Sequence, residues 1–189
     1  MDLVRAITAT GTIVRGVKPD QLDDRTPCRD WDVRTLTNHL LQVVTAVDLA
    51  GRGEPVPNEL WERQLPTDDA AARFEDAARS AATAWDPLPE TVHMGESDLP
   101  APFAVAMLGT DLVIHGWDLA RATGQDYRVD DDLAEQAYRF VAGTAEQGRG
   151  MGIFGEPVPV DGGAPLDRAL GLSGRDPGWS PGSAAPPTR

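Results

Sequence analysis

The sequence is poor in cysteine, lysine and histidine, and each scarcity excludes something. Cys28 is the only cysteine, so no intrachain disulfide forms and thiol-rich metal sites are excluded. Lys18 is the only lysine, and 17 basic residues face 30 acidic ones for a formal net charge of -13. A field of that sign repels phosphate backbones and anionic headgroups, which argues against nucleic acid and membrane surfaces as partners. No uninterrupted apolar run approaches the roughly 18 residues that cross a bilayer. The opening MDLVRAITAT carries an early acid and lacks a signal-peptide core. Together these absences predict a cytoplasmic protein.

What is present is an ordinary globular composition, 41% hydrophobic and 25% charged over 189 residues. That length accommodates one domain with a real core and a short appendage. Five segments carry the apolar spacing of an amphipathic helix. The first runs from about Asp2 to Val17, with Leu3, Ile7, Ile13, Val14 and Val17 on one face. The second starts after Asp32, a short acid suited to accept from the free N–H groups of a first turn, and runs to about Ala50, with Gly51 as the stop. The third spans about Thr67 to Trp85 and is closed by Pro87. Between Leu88 and Pro102 the period changes and turn residues crowd in, which predicts a small strand or hairpin. The fourth helix begins near Ala101 and ends at Gly124; the fifth covers Asp130 to Gln147, its leading acids at the positive end of the helix dipole. A short helix LDRALGL follows an irregular stretch. The expected architecture is all-α, an up-and-down bundle of four or five helices with a short hairpin and an irregular C-terminal tail. Residues 1–175 are expected to form the bundle and residues 176–189 a disordered tail.

The stretch GTDLVIHGWDLARATG, Gly109 to Gly124, breaks this pattern by putting charge on a core face. On a helical wheel His115 lies inside the stripe of Leu108, Leu112, Leu119 and Ala122, with Asp111 and Asp118 along its edge. Residues four apart share a face with Cβ atoms about 5–6 Å apart, so Asp111 and His115 can share a partner. His39, on the second helix, flanks the stripe of Leu36, Leu40 and Val43 and leans toward the core. Burying an ionised carboxylate costs several kcal/mol unless something compensates it. Few compensating cations are expected on that face, because Arg121 is rotated well away from it. Two imidazoles and a carboxylate would hold a divalent metal with a coordination position left open. An Asp–His hydrogen-bonded pair without metal has the same spacing, and so does a core histidine satisfied by a carbonyl.

The blocks TPCRDWDVRTLTNHLLQVV and TDLVIHGWDLARATGQ, together with the tail FGEPVPV…PLDRALGLSGRDPGW, resemble the metal-binding branch of the DinB-like bundles. That branch includes the N-terminal domain of mycothiol-dependent maleylpyruvate isomerase. The resemblance implies a four-helix core and a divalent metal, zinc or nickel, held by His39, Asp111 and His115. Many DinB-like proteins carry His, and the isomerase a Glu, where this chain has the shorter Asp111. Asp118 is expected to hold the free N–H of His39 or His115, to transfer protons, or to serve only as a surface group. Gly109 and Gly116 are expected to permit close helix packing, and Trp31 and Trp117 to pack in the core or at its rim. Cys28 is read as structural and His93 as exposed.

The resemblance further implies a small-molecule substrate and a thiol cofactor, mycothiol, whose thiolate adds to a conjugated double bond before the bond rotates and the thiol leaves. The expected function is a metal- and thiol-dependent isomerase or S-transferase. The isomerase has a further C-terminal domain where this chain has a short tail, so a substrate other than maleylpyruvate is expected. A metal-dependent protein that binds or sequesters a small ligand without turnover is the alternative. A purely structural polar cluster is the third reading, and a non-haem iron oxygenase the fourth. A homodimer is compatible with the sequence.

Overall fold

The computed structural model of the chain describes residues 1–182. Its elements are α1 (Leu3–Arg15), α2 (Val33–Gly51), the short α3 (Glu59–Glu62), α4 (Ala70–Ala84), β1 (Thr91–Met94), β2 (Ser97–Pro100), α5 (Ala101–Thr123), α6 (Asp131–Gly150) and α7 (Pro165–Leu172). The all-helical architecture read from the sequence is therefore present, with its hairpin and its irregular C-terminal segment. Asp32 caps α2 through a 2.7 Å bond from the Thr35 N–H, as expected of an acid at that position. Asp130 caps α6 in the same way through Leu133. Gly124 ends α5 in the left-handed conformation, with φ 68°. The one-turn helix α3 and a single 3₁₀ turn, Pro19–Gln21, had no periodic signal because each is shorter than the window over which periodicity is read.

The main packing contacts run α1–α5, α5–α2, α2–α4 and α4–α1, which closes a four-helix ring. Helices that follow one another in the chain, α1 and α2, thus sit across a diagonal, linked by residues 16–32 over one end. This arrangement sets α2 directly beside α5. Leu36, Leu40, Val43 and Val47 of α2 and Leu108, Leu112 and Leu119 of α5 meet in the main core. α6 packs on the outer side of α5 and carries α7. Ile114, Trp117, Val141, Ala145 and Leu170 form a second cluster there. α5 is consequently covered on both sides.

By length and composition α5 is long and apolar enough to cross a membrane, contrary to the expectation that no segment approaches that length. The expectation counted uninterrupted apolar residues, whereas hydropathy averaged along the helix tolerates Asp111, His115 and Asp118. In the fold 78% of its most apolar window is buried among the other helices, as befits the central helix of a bundle.

Close packing around α5 depends on its glycines. A Cβ on Gly116 would stand 2.7 Å from the Thr10 hydroxyl and 2.7 Å from the Tyr127 hydroxyl, and one on Gly109 would meet the Met1 side chain. Both glycines therefore serve helix packing, as expected. Gly116→Ala should lower the unfolding free energy by about 1–3 kcal/mol through overpacking. Gly143→Ala, in the exposed middle of α6 with nothing within 4 Å, should raise it by about 0.5–1 kcal/mol. Urea unfolding of the two variants tests this contrast, and a neutral Gly116→Ala would contradict the packing account.

Candidate metal centre

His39 sits two turns into α2, on the flank of its apolar stripe, and faces α5. Its Nε2 lies 2.9 Å from Asp111 Oδ2, while Asp111 Oδ1 lies 3.4 Å from His115 Nε2. One donor atom from each residue falls within 4.8 Å of the others. The fold thus brings together the three residues singled out in the sequence, two from one helix and one from its neighbour. A tetrahedral site with metal–donor bonds of about 2.0–2.1 Å has donors about 3.3 Å apart, and the two imidazole–carboxylate separations are close to that. Two imidazoles and a carboxylate are donors that could hold a divalent metal, and three donors would leave a coordination position open.

Asp118 is wholly buried, at 0% exposure, and its Oδ2 accepts from His115 Nδ1 at 2.9 Å. Of the roles open to it in the sequence, the geometry matches the one behind His115, and a surface role is excluded. Few compensating cations were expected on this face, and the structure supplies one from a distant segment. Arg175, itself buried, reaches the same Asp118 oxygen with Nη2 at 3.2 Å. It arrives from the irregular segment after α7, 57 residues further along the chain, so no local spacing could reveal it. Gly174 makes its approach possible: φ is 87°, and a Cβ there would lie 2.7 Å from Gly155 Cα. Arg121 does point elsewhere, with its Nε 3.1 Å from the Trp179 carbonyl.

Aromatic rings wall the site. Trp31 packs on both imidazoles, with ring centroids 4.7 Å from His39 and 5.2 Å from His115. Its place is set by the loop before α2, where Trp31 N–H donates to the Cys28 carbonyl and the Thr26 hydroxyl to the Trp31 carbonyl. Trp61, on the unforeseen α3, lies 6.3 Å from His39 on its other side. Asn38 and Gln42 hold that loop: Gln42 Nε2 donates to the Arg63 carbonyl at 2.8 Å, and Asn38 Oδ1 accepts from the Leu65 N–H at 2.6 Å. The sequence signal for this contact was a pair of amides, Asn38 and Gln42, on either side of His39 and next to the apolar stripe of α2. Trp117 is buried in the second cluster, away from the three donors. His93 is exposed on the hairpin and paired with Asp98.

Residues 3–120 match the family described as "Mycothiol maleylpyruvate isomerase N-terminal domain". The chain belongs to that family. It is also 30% identical over 178 residues to an uncharacterised protein of Mycobacterium tuberculosis, in the strains CDC 1551 / Oshkosh and ATCC 25618 / H37Rv, covering 90% of this chain and 94% of each relative. Crystal structures of mycothiol-dependent maleylpyruvate isomerase, one of a histidine-to-alanine mutant, share the fold with a TM-score of 0.52 at 17% and 16% identity. The similarity covers 76% of this chain and 66% of the isomerase chain. Arg175 lies beyond the residues that match the family.

Burial would raise the Asp111 carboxyl, but the His39 ring beside it holds it down at about 2. Burial would also raise Asp118, which the Arg175 charge and the His115 hydrogen bond keep below the ordinary carboxylate value. Burial holds His115 below its ordinary value, against the opposing pull of Asp118. Burial, and then the charge of Asp118, pushes the Cys28 thiol up to about 12. Cys28 is therefore a protonated packing residue, in agreement with its structural reading, although its Sγ comes within 4.8 Å of donor atoms of His115 and Asp118.

Folded Asp111, Asp118 and His115 all bind protons less readily than in the unfolded chain, so stability of the metal-free protein rises with pH. The carboxylate contribution is complete above about pH 4 and is lost as the pH falls through the lowered values. The His115 contribution is complete above about pH 6.5 and erodes below it. Urea midpoints of metal-free protein should decline from pH 7 to 5 and fall steeply below 4. A midpoint that stays flat from pH 7 to 5 would show that His115 is not held neutral by burial.

Proposed function

We propose that this chain binds one divalent metal, zinc or nickel, through His39, Asp111 and His115, and uses it with a low-molecular-weight thiol of the mycothiol type. The reaction is isomerisation of, or thiol transfer onto, a small electrophilic molecule. The observation that carries this reading is the convergence of the three donors inside 4.8 Å, in a chain of a family named for a mycothiol-dependent isomerase. Membership of a fold family alone would be weak support for a reaction.

A dication with an open position supplies the positive charge that keeps an incoming thiol ionised near neutral pH. The chain's own residues supply everything else. Asp111 and the two imidazoles grip from two helices, and Asp118 holds His115 Nδ1 so that Nε2 faces the site. Trp31 and Trp61 cover the imidazoles and restrict water beside them. Asp111 keeps 32% of its side chain accessible, which leaves an approach for a small ligand. Cys28, with its thiol pushed up to about 12, is no nucleophile at neutral pH, so the sulfur that reacts must come with the ligand. The acidic chain also suits a cytoplasmic small-molecule enzyme better than one acting on nucleic acid or at a membrane.

A second reading, metal-dependent binding of a small ligand without turnover, has its own support. Asp118 is committed to His115 and Arg175, which leaves no free general base behind the donors among the described residues.

Protein purified without a histidine tag should carry, or take up, one Zn²⁺ or Ni²⁺ per chain by elemental analysis, and His39→Ala or His115→Ala should abolish uptake. Loading at a hundredfold excess over Kd should add about 2.7 kcal/mol to the unfolding free energy. A screen of the loaded protein with mycothiol and related thiols against electrophilic alkenes, maleylpyruvate included, should show thiol-dependent isomerisation or conjugate formation. Metal uptake with no turnover favours the binding reading. Refusal of both metals by folded protein defeats both readings.

A further inference from the structure

Behind the three donors lies a buried ion pair whose two ends come from distant parts of the chain. Asp118 Oδ2 accepts from His115 Nδ1 at 2.9 Å and from Arg175 Nη2 at 3.2 Å. Among the described residues the other Asp118 oxygen, Oδ1, has no hydrogen-bond partner, and neither has Arg175 Nε. One carboxylate oxygen therefore serves both the imidazole and the guanidinium. Arg175 is itself anchored, its backbone N–H donating to the Leu170 carbonyl at 2.9 Å and its Nη1 to the Ser173 carbonyl at 3.1 Å.

An ionised carboxylate only accepts hydrogen bonds, so its partner His115 Nδ1 must carry the proton. In a neutral imidazole the other nitrogen is then bare, and Nε2 is the nitrogen that lies 3.4 Å from Asp111 Oδ1. A wholly buried carboxylate stays ionised only if its charge is met. Arg175 is the cation that meets it. We propose that Arg175 is a positioning residue of the metal centre: by holding the same Asp118 oxygen that accepts from His115 Nδ1, it orients Asp118 and through it fixes His115 with Nδ1 as the donor and Nε2 toward His39 and Asp111. This proposal rests on the metal-binding reading above. It makes the segment after α7, outside the residues that match the family, part of the centre. The left-handed turn at Gly174, packed against Gly155, delivers Arg175 to the interior and shows a local backbone shaped for that approach.

The test combines ring ¹⁵N NMR of the metal-free protein with Zn²⁺ affinity measured by chelator competition. Only three histidines, His39, His93 and His115, contribute ring signals, so His115 is assigned by substitution of the others. In the wild type His115 should be a single neutral Nδ1–H tautomer. Arg175→Met should give a mixture of tautomers and weaken Zn²⁺ about 10–100-fold, the scale for loss of a hydrogen-bond partner behind a metal-bound histidine. Arg175→Met with Asp118→Asn removes both charges yet keeps an oxygen to accept from Nδ1, and should restore the single tautomer and most of the affinity. Arg175→Gln, which keeps a donor without the charge, replaces the methionine variant if that one fails to fold, with the same expectations.

An unchanged tautomer in the variant lacking the Arg175 charge overturns the proposal, and so does a double variant as impaired as the single one. Tighter Zn²⁺ binding in Arg175→Met also overturns it, because the guanidinium would then act only by repelling the dication. If the wild type refuses Zn²⁺ and Ni²⁺ while the His115 signals respond as described, the metal reading fails and the hold of Arg175 on the ring is upheld.

Discussion

A buried carboxylate needs a partner, and α5 carries Asp118 fully inside the fold with Asp111 two turns away at the site mouth. Asp118 is met by Arg175 and by His115 Nδ1, and Asp111 by His39 Nε2 from the neighbouring helix. Removing one partner of such a buried charge costs about 3–5 kcal/mol, far more than an exposed ion pair contributes. The surface pairs illustrate the contrast. Arg5 bridges Asp2, Asp130 and Asp132 and links the start of α1 to the start of α6, but all four groups face solvent.

Packing gives these interactions their geometry. α5 is enclosed by α1 and α2 on one side and by α6 on the other, so its side chains have little freedom to reorient. Gly116 lets α1 and Tyr127 approach next to His115, and Trp31 closes over both imidazole rings. Elements with weak intrinsic order are tied in by polar side chains of α2: Asn38 and Gln42 capture residues 61–65 and so bring Trp61 beside His39. The C-terminal segment is secured similarly, with the Trp179 carbonyl accepting from Arg121. Within the expected tail of 176–189, Trp179 packs against the main core, while 183–189 lie outside the described residues.

The long helices were legible because their signals are local. Capping acids at Asp32 and Asp130, a glycine stop at Gly124 and an apolar stripe every three to four residues are properties of the chain alone. Asp111 and His115 were legible for the same reason, since one helix turn fixes their relation. Helical spacing could point His39 toward the core and offer it as a further donor, but nothing in spacing requires α2 and α5 to be adjacent, and the resemblance was what joined the three into one ligand set. α3 and the Trp61 wall escaped notice because a single turn has no period.

By itself, the sequence determined the helices, the polar break in the core face of α5, and the scarcity of thiols that leaves imidazole and carboxylate as the metal-type donors. Those features depend on contacts within a turn or on composition, and they survive any arrangement of the helices. Only the tertiary structure decided that α2 lies beside α5 and that Arg175 neutralises Asp118. Both depend on which segments the chain brings together across long separations, and that choice is made by burial of the whole apolar surface at once.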